Sequence, residues 1–509
     1  MSLINKAFLT YAHRMLKGLD RTRKHPFEVQ MKVFRALLKG GKDTAFGRDH
    51  GFSKIGSVRD FQRLVPVRDY NELYPYIERL RSGEDYVLWN EKTRFFAKSS
   101  GTSSGKSKFI PITRTNLWGC HYGGMQRMLA NYVQRFPDSR IYSGKALTLG
   151  GSVEPDLGGK SFSGDLSAIL LRNSPAPAEF FRVPDKKTAM MHDFHEKVEI
   201  ICRKYSKANV TSFAGVPSWN LIMLRRIMEY NNASRLTDVW PNMELFMHGG
   251  ISFEPYRAQY DAIIPPGSVR YFENYNASEG YFAFQDDPED KSMLLTLDNG
   301  VFYEFATLKE LSEAQENERP VPTRTVEEVE PGVPYAVIIS TTAGLWRYLI
   351  GDVVTFTSLV PHKVVISGRT QLFINAFGEE LMIGNANTAL AAACKLHNAT
   401  ISDFTVAPIF IEGRLKGAHQ WVIEFENAPE DTEAFADTLD EELCACNSDY
   451  EAKRTHTMTM ERLHLAVVPA GTFYRWMESR GKIGGQNKVP RLYSNRRYVD
   501  EILGTIFFF

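Results

Sequence analysis

Apolar residues recur at helical spacing in several parts of the chain. Between residues 27 and 38 an apolar side chain returns every three or four positions, and Lys39-Gly40-Gly41 then ends the pattern. The same spacing predicts further helices over 115–135, 217–230 and 385–397. Residues 1–23 mix apolar with basic positions, which favours an amphipathic helix over a signal peptide.

Short β-rich runs alternate with these helices, a pattern typical of an α/β protein. They predict strands at 95–97, 108–113, 146–149, 245–248, 271–275, 335–340, 344–354, 364–371, 405–411 and 420–426. A chain of 509 residues exceeds the roughly 250–300 residues at which one hydrophobic core stops growing. We therefore expect a large N-terminal α/β domain over 1–369 and a smaller α+β domain over 370–509, with the boundary near Arg369 to Gln371.

Composition narrows the classes of partner. Hydrophobic residues make up 43% and charged residues 24%, which is ordinary for a soluble globular protein. The formal net charge of +1 creates no overall field for nucleic acid or for an anionic membrane, so neither is expected as a partner. The five cysteines form no Cys-x-x-Cys pair, which indicates a reducing compartment without a structural zinc site. No apolar run reaches the ~18 residues of a membrane span, and we expect a cytoplasmic protein.

A Ser/Gly/Thr-rich loop at 99–107 separates the first two predicted strands. Its glycines allow close backbone approach to a ligand, while its hydroxyls and Lys106 add donors and positive charge, as a phosphate site requires. A Walker A loop needs four residues between its first glycine and the Gly-Lys-Ser/Thr, and here only three lie between Gly101 and Gly105. A P-loop NTPase is therefore disfavoured, and a flexible surface loop is the other interpretation.

Three later strands end in groups that suit a nucleotide. Gly249-Gly250 would let a flat ligand lie against the backbone, although a simple tight turn explains the glycines almost as well. Glu279 is a candidate Mg²⁺ ligand, with an exposed loop glutamate as the alternative. Asp352 lies in an apolar strand, and a buried aspartate needs partners such as the paired hydroxyls of a ribose.

Other candidate groups are less specific. Lys488 lies in a glycine-rich segment, where a lysine is either solvated or swings into a site when domains rotate. His192 and His195 lack a third ligand at metal-binding spacing, so we interpret them as surface or helix-end histidines. The predicted helix 115–135 either lines a pocket beside the Ser/Gly loop or packs in the core.

Taken in order, these stretches resemble the GH3 family of acyl-acid amido synthetases, which belongs to the adenylate-forming superfamily. The resemblance covers essentially the whole chain. The motifs that carry it are Ser99 to Ser103, Tyr275 to Glu279, Tyr348 to Asp352 and Gly485 to Arg491. The chain departs from the pattern in being shorter than the plant hormone-conjugating members and in carrying Gln371 where many adenylating enzymes have an acidic hinge residue.

The resemblance implies an ATP- and Mg²⁺-dependent ligase that adenylates a carboxylic acid and transfers the acyl group to an amine, expected to be an amino acid. It implies a mobile C-terminal domain that carries the catalytic Lys488, with Thr102 and Ser103 acting on the phosphates and Glu279 holding the metal. The nucleotide-binding residues that it implies are Ser99, Ser100, Gly101, Thr102, Ser103, Gly249, Gly250, Tyr275, Asn276, Ser278, Asp352 and Arg369.

Two other functions stay open at this point. An acyl-CoA or acyl-adenylate ligase would share the first half-reaction and use coenzyme A as the acceptor. A non-catalytic nucleotide-binding protein would keep the fold with an inactive site, although Lys488, Glu279 and Asp352 are all present. We expect a monomer or a weak homodimer.

Overall fold

The structure is a computed structural model that describes residues 3–99, 108–156, 159–191, 193–250, 253, 256–370, 373–374, 379, 381–409, 417–451, 453–454, 460–481, 488–493 and 495–505. The helices are α1 Leu3–Lys24, α2 Pro26–Gly41, α3 Ala45–Asp49, α4 Val58–Leu64, α5 Tyr70–Arg81, α6 Arg114–Asn116, α7 Gly123–Arg135, α8 Leu166–Asn173, α9 Lys186–Ala189, α10 Phe194–Tyr205, α11 Pro217–Tyr230, α12 Leu236–Val239, α13 Arg257–Ile263, α14 Leu308–Glu316, α15 Ile383–Leu396, α16 Thr432–Cys446, α17 Ser448–Glu451, α18 Thr472–Ser479 and α19 Arg497–Gly504.

The strands follow the same chain order. They are β1 Phe95–Ser99, β2 Lys108–Ile112, β3 Lys145–Thr148, β4 Val153–Pro155, β5 Phe162–Gly164, β6 Arg182–Val183, β7 Val210–Gly215, β8 Leu245–Gly249, β9 Arg270–Ala277, β10 Gly280–Gln285, β11 Met293–Leu295, β12 Val301–Thr307, β13 Pro334–Thr341, β14 Tyr348–Leu359, β15 His362–Arg369, β16 Phe373–Ile374, β17 Leu381–Met382, β18 Thr400–Ile409, β19 Ala418–Asn427 and β20 His464–Val468.

The chain divides into two compact units. The first comprises 1–216, 223–250 and 265–365, and the second comprises 217–222, 251–264 and 366–509. Two short segments that interrupt the first unit in the sequence thus belong to the second unit. The sequence-based division into 1–369 and 370–509 stays a prediction.

An 11-stranded sheet dominates the first unit, in the order β12-β13-β14-β15-β11-β10-β9-β8-β7-β3-β6. The neighbours from β6 to β9 pair in parallel, so β3, β7, β8 and β9 point their carboxyl ends to one edge of the sheet. A second sheet has the order β2-β1-β5-β4. In α/β sheets the carboxyl ends of parallel strands are the usual place for ligands.

The sheet of the second unit shows simple alternation. It has the order β18-β19-β20, and Trp421 and Ile423 of β19 pack in a different apolar cluster from Val422 between them. The first cluster includes apolar residues of α15 and α16, and the second includes residues of α18 and α19. Because side chains alternate along a strand, the sheet buries both of its faces.

The structure confirms the α/β prediction and most of the predicted elements. Helices occur over 27–38, 217–230 and 385–396 as their spacing predicted. The predicted strand 344–354 is wrong at its start, because Gly344 (φ 84°) and Arg347 (φ 45°) have left-handed backbone and β14 begins only at Tyr348. Within the described residues we find no helix with the length and apolar character needed to cross a bilayer.

Candidate active site

The carboxyl ends of β8 and β9 bring together two motifs that are distant in the sequence. Gly249 pairs with Asn274 across these parallel strands. A Cβ at position 249 would lie 2.3 Å from the Asn274 carbonyl oxygen, so the strands can approach this closely only with glycine. Gly250 follows with φ 85°, which turns the chain away from the sheet. Gly249 therefore lets β8 pack closely against the next strand, which carries Tyr275.

Tyr275 and Asp352 meet in the interior of the first unit. The Tyr275 hydroxyl donates a 2.6 Å hydrogen bond to Asp352 Oδ2, and each residue is only 5% exposed. Burying a carboxylate is costly unless it accepts hydrogen bonds, and this bond supplies part of that compensation. The sequence predicted that Asp352 is buried, and the structure adds Tyr275 as a partner.

A bulge in β14 aims Asp352. Ala336 of β13 pairs with Val353, and Ile338 pairs with Leu349, so Val337 alone faces three residues of β14. The central residue of the three, Gly351, has φ 91°, a conformation that glycine adopts without strain. A bulge re-aims side chains out of the regular alternation. The glycine before Asp352 is thus part of the site's geometry.

Arg347 fixes the chain immediately before this bulge. It is 2% exposed and pairs with the buried Glu304, with Nε to Oε2 at 2.9 Å and Nη2 to Oε1 at 3.1 Å. The same guanidinium donates to the carbonyl oxygens of Gln62 and Val65 and to the hydroxyl of Thr323. A buried ion pair is tolerated when the remaining donors are also satisfied, as they are here.

Ser278 and Glu279 form the turn between β9 and β10. Ala277 pairs with Gly280, so the two residues are the whole connection. Glu279 is 6% exposed and Ser278 is 3% exposed, which shows that the exposed-loop alternative for Glu279 is wrong. Among the described residues we find no group of three or more His, Cys, Asp or Glu side chains with metal-binding geometry. The assignment of Glu279 to Mg²⁺ stays a prediction.

The β1–β2 hairpin positions the Ser/Gly loop. Ser99 pairs with Lys108 at the end of the hairpin, while Ser100, Gly101, Thr102 and Ser103 lie outside the described residues. Helix α5 supports β2 from two points. The Tyr70 hydroxyl accepts a 2.8 Å bond from the Phe109 amide, and Arg81 stacks on the Phe109 ring at 3.5 Å while it binds Asp156 bidentately. These contacts fix β2 next to the point at which the loop ends.

His121 is a residue that the sequence argument missed. It lies in a π-helical turn, Leu117–Tyr122, that interrupts the predicted helix 115–135. The ring is 2% exposed, and among the described residues no partner lies within normal hydrogen-bond geometry of either nitrogen. Burial lowers the pKa of His121 to about 4, an effect that the nearby Asn276 side chain partly offsets. Such π-helical turns are frequent at functional sites.

Asn276 shares this property with His121. Its side-chain oxygen is buried and has no partner in normal hydrogen-bond geometry among the described residues, although the side chain lies close enough to His121 to influence the pKa of that ring. Buried polar atoms are normally paired, so an unpaired set next to a candidate site indicates a place for water or a ligand. No sequence pattern singles out His121, because one histidine in an apolar helix is usually a core residue.

The remaining predicted residues belong to the second unit. Arg369 is the last residue of β15 and is half-buried, and Lys488 is exposed. The unpredicted parts of the second unit are the segments 217–222 and 251–264, the second of which follows Gly250 and contains α13. His195 lies in the first turn of α10, which fits a helix-end histidine, and His192 lies outside the described residues.

Known proteins resemble the chain along almost its full length. A jasmonoyl–L-amino acid synthetase, JAR6, from Nicotiana attenuata is 23% identical over 94% of this chain and 93% of its own. The structure of the GH3.15 acyl acid amido synthetase superposes with a TM-score of 0.79 at 18% identity, covering 96% of this chain and 95% of that one. A 2-hydroxyisobutyryl-CoA ligase in its postadenylation state gives a TM-score of 0.59 at 12% identity, over 94% of this chain and 92% of that one.

Family models match the chain in sequence order. The model of the GH3 family N-terminal domain matches residues 15–156 and 151–269, that of the central domain matches 294–369, and that of the C-terminal domain matches 384–497. The matches include Gly249, Gly250 and Asp352, whereas β9 with Tyr275 lies between the N-terminal and central matches. The resemblance that the four motifs indicated is confirmed, and this chain belongs to the GH3 family.

Proposed function

We propose that this protein is an ATP-dependent acyl-acid amido synthetase. The observation that carries the proposal is the buried pair of Tyr275 and Asp352 at the bulge of β14, in a chain that belongs to the GH3 family. The similar proteins JAR6 and GH3.15 are both named as enzymes that join an acid to an amine. The 2-hydroxyisobutyryl-CoA ligase shares the fold, so the acceptor is the point that most needs a test.

The proposed reaction has two steps. A carboxylate oxygen attacks the α-phosphorus of ATP, the bond to the bridging oxygen breaks, and pyrophosphate leaves. An amine then attacks the carbonyl carbon of the acyl adenylate, AMP leaves, and the amine gives up a proton. Both steps build negative charge on phosphate oxygens, so preorganised donors aimed at that charge are the main catalytic requirement.

The residues would divide this work as follows. Asp352 would accept hydrogen bonds from the ribose hydroxyls, held in place by Tyr275, while Gly249 and Gly250 would border the adenine. Ser99 to Ser103 would bind the β- and γ-phosphates, with Asn276 and Ser278 beside them. Lys488 would neutralise the α-phosphate, and Arg369 would contact the ribose.

Magnesium fits this arrangement through Glu279. Mg²⁺ in nucleotide sites is commonly bound by one or two carboxylates together with phosphate oxygens, so it does not need an all-protein cage. Glu279 is 6% exposed in a two-residue turn, which fixes its carboxylate more firmly than a loop would. The ion would offset phosphate charge when it is bound.

The acyl acid would lie beside His121 and Asn276. The neutral imidazole, whose pKa burial lowers to about 4, provides one donor and one acceptor at pH 7 without adding charge. The unpaired oxygen of Asn276 adds a further acceptor. These groups would orient a polar part of the acid while the surrounding apolar residues contact the rest.

The first test is ATP–pyrophosphate exchange with Mg²⁺ over a panel of aryl, indolyl and aliphatic carboxylic acids. We expect exchange that depends on the acid, followed by AMP release when an amino acid is added. AMP release with coenzyme A and not with amino acids would identify an acyl-CoA ligase instead. ATP binding without exchange for any acid would contradict an adenylating enzyme and favour a nucleotide-binding protein.

A further inference from the structure

Lys488 is followed by a segment that is fixed to the sheet of the second unit. Lys488 itself is exposed, whereas Val489 is 6% exposed and Leu492 is fully buried. Val489 and Leu492 contribute to two different apolar clusters, one on each face of the sheet. The chain therefore passes from solvent into the protein within one residue of the lysine.

Backbone hydrogen bonds attach this segment to β18. The Val406 amide donates to the Arg491 carbonyl at 2.8 Å, and the Tyr493 amide donates to the Val406 carbonyl at 3.0 Å. The Thr405 hydroxyl also donates to the Pro490 carbonyl at 2.5 Å. Residues 490–493 thus extend the edge of the three-stranded sheet, and their position is set by β18.

The Arg491 side chain adds three further attachments. Its Nη1 donates to Asp403 and, at 3.0 Å, to the Phe404 carbonyl oxygen. Its Nη2 donates to the Tyr256 hydroxyl at 2.8 Å. The guanidinium also lies over the Phe404 ring, 4.7 Å from its centroid. Arg491 is 16% exposed, and its partner Asp403 is 19% exposed.

Only arginine makes this combination of contacts. The guanidinium is planar and presents its donors in a fixed fork, so one group reaches a carboxylate, a carbonyl and a hydroxyl while it stacks on an aromatic face. A lysine would keep the charge opposite Asp403 but would lose the fork and the stacking. Pro490 lies between Arg491 and Val489 and restricts the backbone that joins the anchor to Lys488.

We infer that Arg491 is a positioning residue for Lys488, holding the start of the segment so that the ammonium group reaches one defined place. This inference rests on the proposed function, because it concerns how Lys488 serves adenylation. A displacement of about 1 Å in a catalytic group can cost about 100-fold in rate. A partly exposed anchor three residues away can therefore control activity without controlling the fold.

The test compares Arg491→Gln, Arg491→Lys and a control, Arg496→Gln. Arg496 also donates to a carbonyl of β18, that of Pro408, but its distance of 3.4 Å is longer and it follows Lys488 by eight residues. We expect Arg491→Gln to lower the rate of ATP–pyrophosphate exchange about 100-fold, with KM for ATP changed less than about threefold because Arg491 does not touch ATP. The exchange rate of Arg491→Lys should lie between those of Arg491→Gln and the unaltered protein, and Arg496→Gln should exchange at the unaltered rate.

A double-mutant cycle separates positioning from general damage. If Arg491 acts through Lys488, adding Arg491→Gln to Lys488→Ala should lower exchange no further. Multiplying effects in the double variant would overturn the inference, as would equal exchange in Arg491→Gln and the unaltered protein. A loss of the urea unfolding midpoint that parallels the loss of rate would also overturn it.

Amide hydrogen exchange over 488–493 measures how firmly Arg491 holds this segment, and the measurement does not depend on enzyme activity. We expect Arg491→Gln to speed amide exchange in this segment at least tenfold while β19 stays protected, because the bonds to Asp403 and Tyr256 are lost. Unchanged exchange in the segment would overturn the inference. Absence of acid-dependent activity in the unaltered protein would instead refute the proposed function, so the two failures are distinguishable.

Discussion

Two arginines of this protein each stabilise a motif of the candidate site, but in different surroundings. Arg347 precedes the bulge that carries Asp352, is 2% exposed and pairs with Glu304 at 1% exposure. Arg491 follows Lys488 by three residues and pairs with Asp403 while both remain partly exposed, at 16% and 19%. Each guanidinium also donates to backbone carbonyl oxygens. The chemistry of the two pairs is thus alike, and the burial differs.

The difference in burial predicts that Arg347 mainly stabilises the fold, whereas Arg491 mainly positions a neighbouring segment. Removing one member of a fully buried pair leaves a charge without compensation, which destabilises the whole fold. Removing one member of a partly exposed pair lets water replace the lost bonds, so the cost is small and local. We expect the motif that carries Asp352 to be coupled to global folding and the segment that carries Lys488 to tolerate changes at its anchor.

The largest expected effect comes from breaking the buried pair. Arg347→Met should lower the free energy of unfolding by about 3–5 kcal/mol, because Glu304 stays buried without its countercharge and, among the described residues, keeps only the neutral donors Gln62 and Thr323. The matched control is Arg324→Met, since Arg324 binds Glu310 in the same unit but the side chains are 32% and 26% exposed. Urea unfolding measures both variants. Equal losses in the two variants would contradict the role that we assign to burial.

Lys488→Ala tests the proposed catalytic lysine, which precedes the partly exposed pair of Arg491 and Asp403. We expect exchange to fall by about 2.7–4 kcal/mol, or roughly 100- to 1000-fold, because one preorganised charge aimed at the phosphate is lost. ATP binding and the unfolding midpoint should be retained, since Lys488 is exposed. Lys395→Ala, an exposed lysine of the same unit, is the control. Exchange at the unaltered rate in Lys488→Ala would remove this lysine from the mechanism.

Tyr275→Phe removes the hydroxyl that donates a hydrogen bond to the buried Asp352 carboxylate. Losing the hydroxyl leaves Asp352 with one donor fewer, which costs about 1–3 kcal/mol for a buried charged acceptor. We expect ATP affinity, measured by calorimetry, to fall about tenfold or more. Tyr281→Phe is the matched control, because its hydroxyl contacts only the Met128 sulfur at 3.1 Å among the described residues. Similar affinities in the two variants would argue against Asp352 as a ribose ligand.

The smallest effect at neutral pH is expected at His121, a buried group without a charged partner. Its pKa is lowered to about 4 by burial, below the value of 6.5 for an accessible histidine. Between pH 6.5 and 4 the unfolded chain therefore binds a proton that the folded chain excludes, so stability falls as pH falls through this window, by up to about 1.4 kcal/mol per pH unit. Above pH 6.5 this contribution disappears.

His121→Phe should remove that part of the pH dependence. Urea unfolding at pH 7, 6 and 5 measures the slope, and His25→Phe serves as an exposed control because the His25 side chain is 56% exposed. A variant whose slope matches that of the unaltered protein would show that His121 takes up its proton as easily when folded as when unfolded.

Much of the fold could be predicted from local patterns. Helical spacing and β-rich runs depend on neighbouring residues, so 27–38 and 335–340 were identified correctly. The burial of Asp352 was also predictable, because a glycine and an aspartate interrupt an apolar run. The pairing with Tyr275 was not, since 77 positions separate the two residues and the bulge that joins them arises from strand register.

Three other features could not be predicted from the sequence, for related reasons. Arg347 was assigned no role from the sequence, although an arginine inside an apolar run signals a buried partner, and Glu304 lies in the equally apolar strand 301–307. The segment 251–264 belongs to the second unit because of tertiary contacts such as those of Tyr256 with Arg491, which local patterns do not reveal. No local sequence pattern identifies His121, because what distinguishes it is that its buried ring nitrogens have no partner in normal hydrogen-bond geometry among the described residues.

The bulge of β14 also limits how this protein can be recombined with its relatives. Because three residues of β14 face Val337 alone, a chimera joined one residue out of frame between Leu349 and Val353 would turn Asp352 to the opposite face of the sheet. Crossovers placed in the regular pairing after Thr355, or before β13, would leave the bulge with its own opposing strand. Libraries that exchange acyl-binding segments among family members should therefore keep 334–355 as one inherited block.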